Sequence, residues 1–200
     1  MQIRLIARYM AGCLLTAPAA TASAFHDASE DPFFEPLPVV LTVSRLPQPM
    51  QDTPGAISVI DAGLIAATGY RDIARLLRLV PGMQVAQERS NDQWVSYHGL
   101  GSDFPNQMQV LIDGRSVYSP YFYGGADWGA LGIGINDIDR IEIVRGSDSA
   151  AYGSNAFLGV VNIITKHTAT EAGSTVGVTL GNQGVADVSA RMVTHDGPLV

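Results

Sequence analysis

The sequence predicts a small α+β domain with a mixed β-sheet and short helices, and three local signals carry that prediction. Asp113-Gly114 stands between the β-prone runs Met108–Ile112 and 115–118, the pattern of a tight type I′ hairpin. Ile73, Leu76, Leu77 and Val80 fall at i, i+3, i+4 and i+7, which gives a helix one apolar face before Pro81-Gly82 stops it. Gly159–Thr165 is apolar on both faces, as a strand in the middle of a covered sheet should be.

Each element follows in chain order. Arg4 and Arg8, a short apolar stretch over 9–17 and the ending Ala22-Ser23-Ala24 form an export signal over residues 1–24, cut after Ala24. A buried N-terminal helix is the bland alternative, broken by Gly12 and Pro18. Lipidation at Cys13 is the sharper one, but only four residues separate Arg8 from Cys13, too few for an apolar core. Cutting after Ala24 leaves 176 residues with a net charge of −9 and no cysteine, hence no disulfide and no thiolate.

Residues 25–36 hold His26, Asp27, Glu30, Asp31, Glu35 and two prolines and read as an extended, mobile, acidic leader. Residues 37–45 (LPVVLTVSR) are β-prone but separated from other strands by Pro47 and Pro49. They are either an ordinary edge strand or a free segment. A strand is expected over 56–60, then a helix over 62–68 capped by Asp61 and closed by Gly69. Strands at 83–86 and 94–97 flank a polar loop at 87–93. Residues 119–134, rich in Tyr and Gly, read as a long loop, and Asn136 as the cap of one turn before a strand at 140–145. The tail alternates: Val176, Val178 and Leu180, then Ala186, Val188, Ala190 and Met192, oppose polar neighbours. That suits barrel strands, although a surface hairpin has the same pattern. Two such strands cannot close a barrel, so the chain reads as cut after Val200.

Composition narrows the function. Charged residues make up 16% of the 200, against about 25% in a typical domain, and Lys166 is the single lysine. Twelve basic against nineteen acidic residues exclude a phosphate-coating nucleic-acid binder. No apolar run reaches the roughly 18 residues of a membrane helix. His26, His98, His167 and His195 are scattered without ligand spacing. The glycine-rich run 129–134 follows no strand and opens no helix, so it is no dinucleotide site. Asp137 and Asp139, near Glu142, could mimic a carboxylate pair, but Asp139 and Glu142 fit a turn and strand with Arg140 and Arg145 nearby, so ion pairing is the simpler account. No catalytic, metal-binding or cofactor residue is assigned.

Three segments resemble one family when taken together. Residues 56–85 (AISVIDAGLIAATGYRDIARLLRLVPGMQV), 110–117 (VLIDGRSV) and 138–166 (IDRIEIVRGSDSAAYGSNAFLGVVNIITK) resemble the plug domain of TonB-dependent outer-membrane receptors, in that family's order. The resemblance covers about 37–166. It implies a signal peptide at 1–24, a mobile leader with a TonB box at 25–55, a plug at 56–168 and the first two strands of a transmembrane β-barrel at 169–200. It also implies active transport of a scarce nutrient, a ferric siderophore in the first instance, powered through the periplasmic domain of TonB, with the barrel in outer-membrane lipid. A secreted plug-like binding module without a complete barrel is the alternative.

Residue by residue, the resemblance puts the TonB box at Val39, Val40, Leu41, Thr42 and Val43. A β-prone segment without a partner strand suits capture by strand addition. The family's substrate loops fall at 88–93, 104–107 and 118–128, which makes Asn91, Gln93, Tyr118, Tyr121, Phe122, Tyr123 and Trp128 candidate contacts. These aromatics either grip a ligand or pack on the barrel wall. The family's plug arginines commonly meet barrel glutamates. Arg145 keeps that place, while His98 stands before Gly99 where arginine is usual, which would make that contact either weaker or pH-sensitive. Ser147 stands where proline is frequent.

Overall fold

The computed structural model describes residues 38–43, 45–89, 92–100, 106–118, 125–167 and 173–193. In chain order these form β1 (Val39–Val40), β2 (Gln48–Pro49), β3 (Ala56–Asp61), α1 (Ala62–Thr68), α2 (Ile73–Leu76), β4 (Met83–Arg89), β5 (Asp92–Tyr97), β6 (Met108–Ile112), β7 (Arg115–Ser116), β8 (Ile138–Arg145), α3 (Ser149–Tyr152), β9 (Gly159–Thr165), β10 (Gly173–Leu180) and β11 (Ala186–Val193).

The central sheet runs β3-β8-β9-β6-β7. It is mixed, as the sequence predicts: β9 is parallel to β6, and the other pairs are antiparallel. Its doubly apolar sequence puts β9 between two neighbours with both faces covered. The β6–β7 turn has Asp113 at φ 48° and Gly114 at φ 77°, both in the left-handed region that this hairpin type requires. Asp113 also ties the turn to β9: its carboxylate accepts from Thr165 N at 2.9 Å and from Thr165 Oγ1 at 2.8 Å.

The sheet has two unlike faces. On the first, Ile60, Ile141, Ile143, Val161, Ile163 and Val110 form the main core with Ile65 of α1, Ile73 and Leu76 of α2, and Val95 of β5. On the second, Leu111, Val144 and Val160 pack with Ala156, and Val43 and Tyr152 close over them. Glu142 and Asn162, paired across the β8–β9 ladder, also lie on this second face.

Several local expectations need refining. Asp61 caps α1 as expected, with Oδ1 accepting from Leu64 N at 2.7 Å, and Gly69 closes the helix at φ 62°. The second helix is four residues of α-helix whose last turn tightens to 3-10 at Leu77–Leu79 just before Pro81-Gly82, yet all four periodic apolar residues are buried. The expected polar loop 87–93 is largely strand: β4 and β5 pair as far as Arg89 and Asp92, because the backbone ladder of a hairpin needs no apolar side chains. The turn before β8 is Ile135–Asp137, entered from Gly134, so Asn136 lies inside it and does not cap it.

The β10–β11 hairpin pairs over eight positions, from Gly173↔Val193 to Leu180↔Ala186. Val176, Val178, Leu180, Val188 and Met192 share its outward face and are between 65% and 78% exposed. The opposite face meets the domain through Arg71–Asp187 at 2.7 Å, Arg191–Asp137 at 3.5 Å and Asn136 Nδ2 to Ser189 Oγ at 3.4 Å.

Gly159, at the start of β9, has the backbone of β8 against it. A Cβ there would run into the carbonyl oxygen of Val144. Gly159→Ala is therefore expected to destabilise the domain by about 1–3 kcal/mol, the usual cost of overpacking a tight interior. Denaturant unfolding followed by far-UV circular dichroism measures it.

Candidate functional site

The segment expected to be free, Val39 to Val43, is held in place. Val39 pairs with Pro49 and Val40 with Gln48, and Met50 N donates to Pro38 O at 3.1 Å. Val40 and Thr42 are each 1% exposed. The prolines that isolate this run from the long strands also shape a short return strand that pairs with it. That corrects the expectation of an unpartnered strand on an irregular tether, at least for the described residues.

What holds the segment is a carboxylate. Glu142, fully buried on β8, accepts three donors from the segment at one oxygen, Oε2: Leu41 N at 2.8 Å, Thr42 N at 2.9 Å and Thr42 Oγ1 at 2.6 Å. Its other oxygen accepts from Arg140 Nε at 2.9 Å, and Arg140 also pairs with Asp139 at 2.8 Å. The ion pairing expected with Arg140 is present, but it accounts for only one side of Glu142. Arg145 pairs with none of these acids among the described residues, and Asp137 meets Arg191 instead. Asn162 of β9 donates to Thr42 Oγ1 at 3.3 Å and accepts from Gly114 N at 3.2 Å, so one amide joins the hairpin turn to the segment.

Tyr152 closes the arrangement. Its hydroxyl donates to Thr42 O at 2.6 Å, and the Arg45 guanidinium lies 4.6 Å from its ring centre. Burial raises the Tyr152 pKa, which keeps this hydroxyl a donor, although the hydrogen bond and charge of Arg45 act the other way. Sequence reasoning missed Glu142, Asn162 and Tyr152 as partners of the segment. The available signal was a polar residue at the same depth in two adjacent, otherwise apolar strands, since buried polar groups need partners.

The candidate substrate contacts divide. Asn91, Tyr121, Phe122 and Tyr123 lie outside the described residues. Tyr118 points into its own domain: its hydroxyl reaches Asn106 O at 2.9 Å and Met108 O at 3.0 Å, and its backbone bridges to Ala126. Trp128 packs against the main core. It shares a shallow depression of about 300 Å³ with Gln93, Arg71 and Asp72. The structure thus brings Gln93 and Trp128 together and gives Tyr118 a bracing role against Asn106, Met108 and Ala126.

His98 sits at φ 54° in the turn after β5, exposed, with its ring 4.2 Å from that of Tyr97 and its N–H on Gly82 O at 2.7 Å. Arg145 ends β8, and its buried Nε has no hydrogen-bond partner among the described residues. Among the described residues no group of acids, histidines or cysteines could hold a metal ion.

With the mixed sheet and its covering segment described, comparison with known proteins is decisive. The family profile "TonB-dependent Receptor Plug Domain" matches residues 49–160. The chain belongs to the TonB-dependent receptor family. This plug is 33% identical over 146 residues to the vitamin B12 transporter BtuB of Vibrio vulnificus, covering 72% of this chain and 23% of the relative. It is 34% identical over 132 residues to the iron-regulated outer membrane virulence protein of Vibrio cholerae, covering 64% of this chain and 20% of the relative. A crystal structure of the ferric enterobactin receptor PfeA from Pseudomonas aeruginosa is similar with a TM-score of 0.47 and 28% identity, over 62% of this chain and 19% of that one. This TonB-dependent receptor chain spans about a quarter or less of the length of these relatives.

Burial pushes the pKa of Tyr118 up from 10.0 to about 12. Between these values the unfolded chain loses the phenolic proton while the folded chain keeps it, so this group makes stability fall as pH rises through that window. Tyr118→Phe is expected to cost about 1 kcal/mol at neutral pH through the lost hydrogen bond. It should also make the alkaline decline shallower than in the parent, as read from melting temperatures across the alkaline range.

Proposed function

We propose that this chain is the N-terminal part of a TonB-dependent outer-membrane transporter that imports a ferric siderophore with energy delivered through TonB. The observation that carries the reading is the plug-family match over 49–160, directly preceded by a β-prone segment suited to strand capture. The names of the relatives, one a vitamin B12 transporter and one an iron-regulated outer membrane protein, support import of a scarce nutrient.

In this reading residues 1–24 direct export and are removed. Residues 25–55 carry the TonB box at Val39 to Val43, residues 56–168 plug the lumen, and 169–200 begin the barrel. The hairpin's outward apolar face would meet outer-membrane lipid while its inward polar face meets the plug. Arg145 brings a guanidinium with an unused Nε to the end of β8, suited to a barrel carboxylate, and His98 offers an exposed imidazole for a similar contact. Gln93 and Trp128, together with Asn91, Tyr121, Phe122 and Tyr123, are the proposed substrate contacts.

Transport is tested in the intact gene by deleting residues 37–45 and following uptake of labelled ferric siderophore and of labelled cobalamin. Energised uptake of the ferric siderophore should fall to background while binding at the cell surface persists. Undiminished uptake would refute the box assignment, and uptake of cobalamin alone would replace the substrate.

A further inference from the structure

The candidate TonB box is both the segment to be captured and the segment now docked on the sheet, with Val40 and Thr42 buried, and the same backbone atoms are involved. Strand addition needs free N–H and C=O groups along an edge. The N–H groups of Leu41 and Thr42 are bound to Glu142, and the carbonyl of Thr42 accepts from Tyr152. A partner strand therefore cannot form a ladder at Leu41 and Thr42 while these bonds stand.

We propose that Glu142 is a clasp that makes docking of Val39 to Val43 on the sheet and their capture by a partner strand mutually exclusive, so that Glu142 sets how much of the segment is open to the partner. The inference rests on the reading of these residues as a TonB box. Three contacts converge on Oε2, and two of them, to Leu41 N and Thr42 N, are indifferent to side-chain identity. The third needs a hydroxyl at position 42, and Asn162 orients that hydroxyl from the neighbouring strand. Arg140 holds the other oxygen, which fixes the direction of the carboxylate. An amide in place of the carboxylate cannot serve both sides, since its NH2 must face either Arg140 Nε or the three donors of the segment.

The test uses the intact protein in outer-membrane preparations without partner. A single cysteine is placed either at Val40 in the segment (V40C) or at Val161 in the main core (V161C), and maleimide labelling rates are compared. Glu142→Gln should raise the rate at position 40 by about tenfold or more, the scale of losing charge-assisted hydrogen bonds, while position 161 stays protected. Thr42→Val, which keeps shape and both N–H contacts, should raise it by less. An unchanged rate at position 40 in both variants overturns the clasp. Equal exposure of positions 40 and 161 in both variants also overturns it, by making these contacts a general part of the fold.

A second measurement separates the clasp from the box reading. The purified periplasmic domain of TonB should bind the Glu142→Gln protein more tightly than the parent. If position 40 opens but that domain binds neither protein, the clasp stands as a seal on the segment and the box assignment fails.

Discussion

A carboxylate without water must be given donors, and in this domain that requirement organises one whole face of the sheet. Glu142 lies at the middle of β8 with no solvent exposure. Left with Arg140 alone it would keep an unpaired oxygen in an apolar layer, a situation whose cost runs to several kcal/mol. The chain supplies the missing donors from 100 residues away, by laying Leu41 and Thr42 across the sheet. The short return strand at Gln48 and Pro49, the closure by Tyr152 and the amide bridge from Asn162 all follow from holding that stretch of backbone in position.

The two sheet faces therefore cohere by different physics. The first is an ordinary apolar core of Ile, Leu and Val under α1, α2 and the β4–β5 hairpin, tolerant in the way that packed hydrocarbon is tolerant. The second is a small polar network set into apolar surroundings, strong when complete and costly when incomplete. The β10–β11 hairpin shows a third regime. Exposed ion pairs and one long hydrogen bond seat it on the domain, and contacts of that kind contribute little each.

Much of this was legible in the residues. The Asp-Gly turn, the Asp61 cap and the buried β9 run are short-range features, encoded by residues that touch or nearly touch in sequence, and the structure has all three. Family membership was legible too, because three separated segments retain its pattern. What composition and periodicity could not supply was pairing at a distance. That Thr42 would meet Glu142 depends on how the sheet stacks its strands, and 37–45 by itself reads as a free segment with an edge strand as the alternative. Tyr118 shows the same limit from the opposite side. An aromatic in a glycine-rich loop suggests a binding surface, and only the positions of the Asn106 and Met108 carbonyls reveal a brace.

The convergence of three bonds on one oxygen has a mechanical meaning. Bonds arranged along a strand can be peeled one after another, each carrying the load alone in its turn. Bonds that share an acceptor are loaded together, so tension that passes the β1–β2 pairing and reaches Leu41 is divided among them until all give way in one event. Resistance then resembles a threshold more than a gradual slope. Because the shared acceptor is rooted in β8, between β3 and β9, the force enters the sheet through an interior strand supported on both sides.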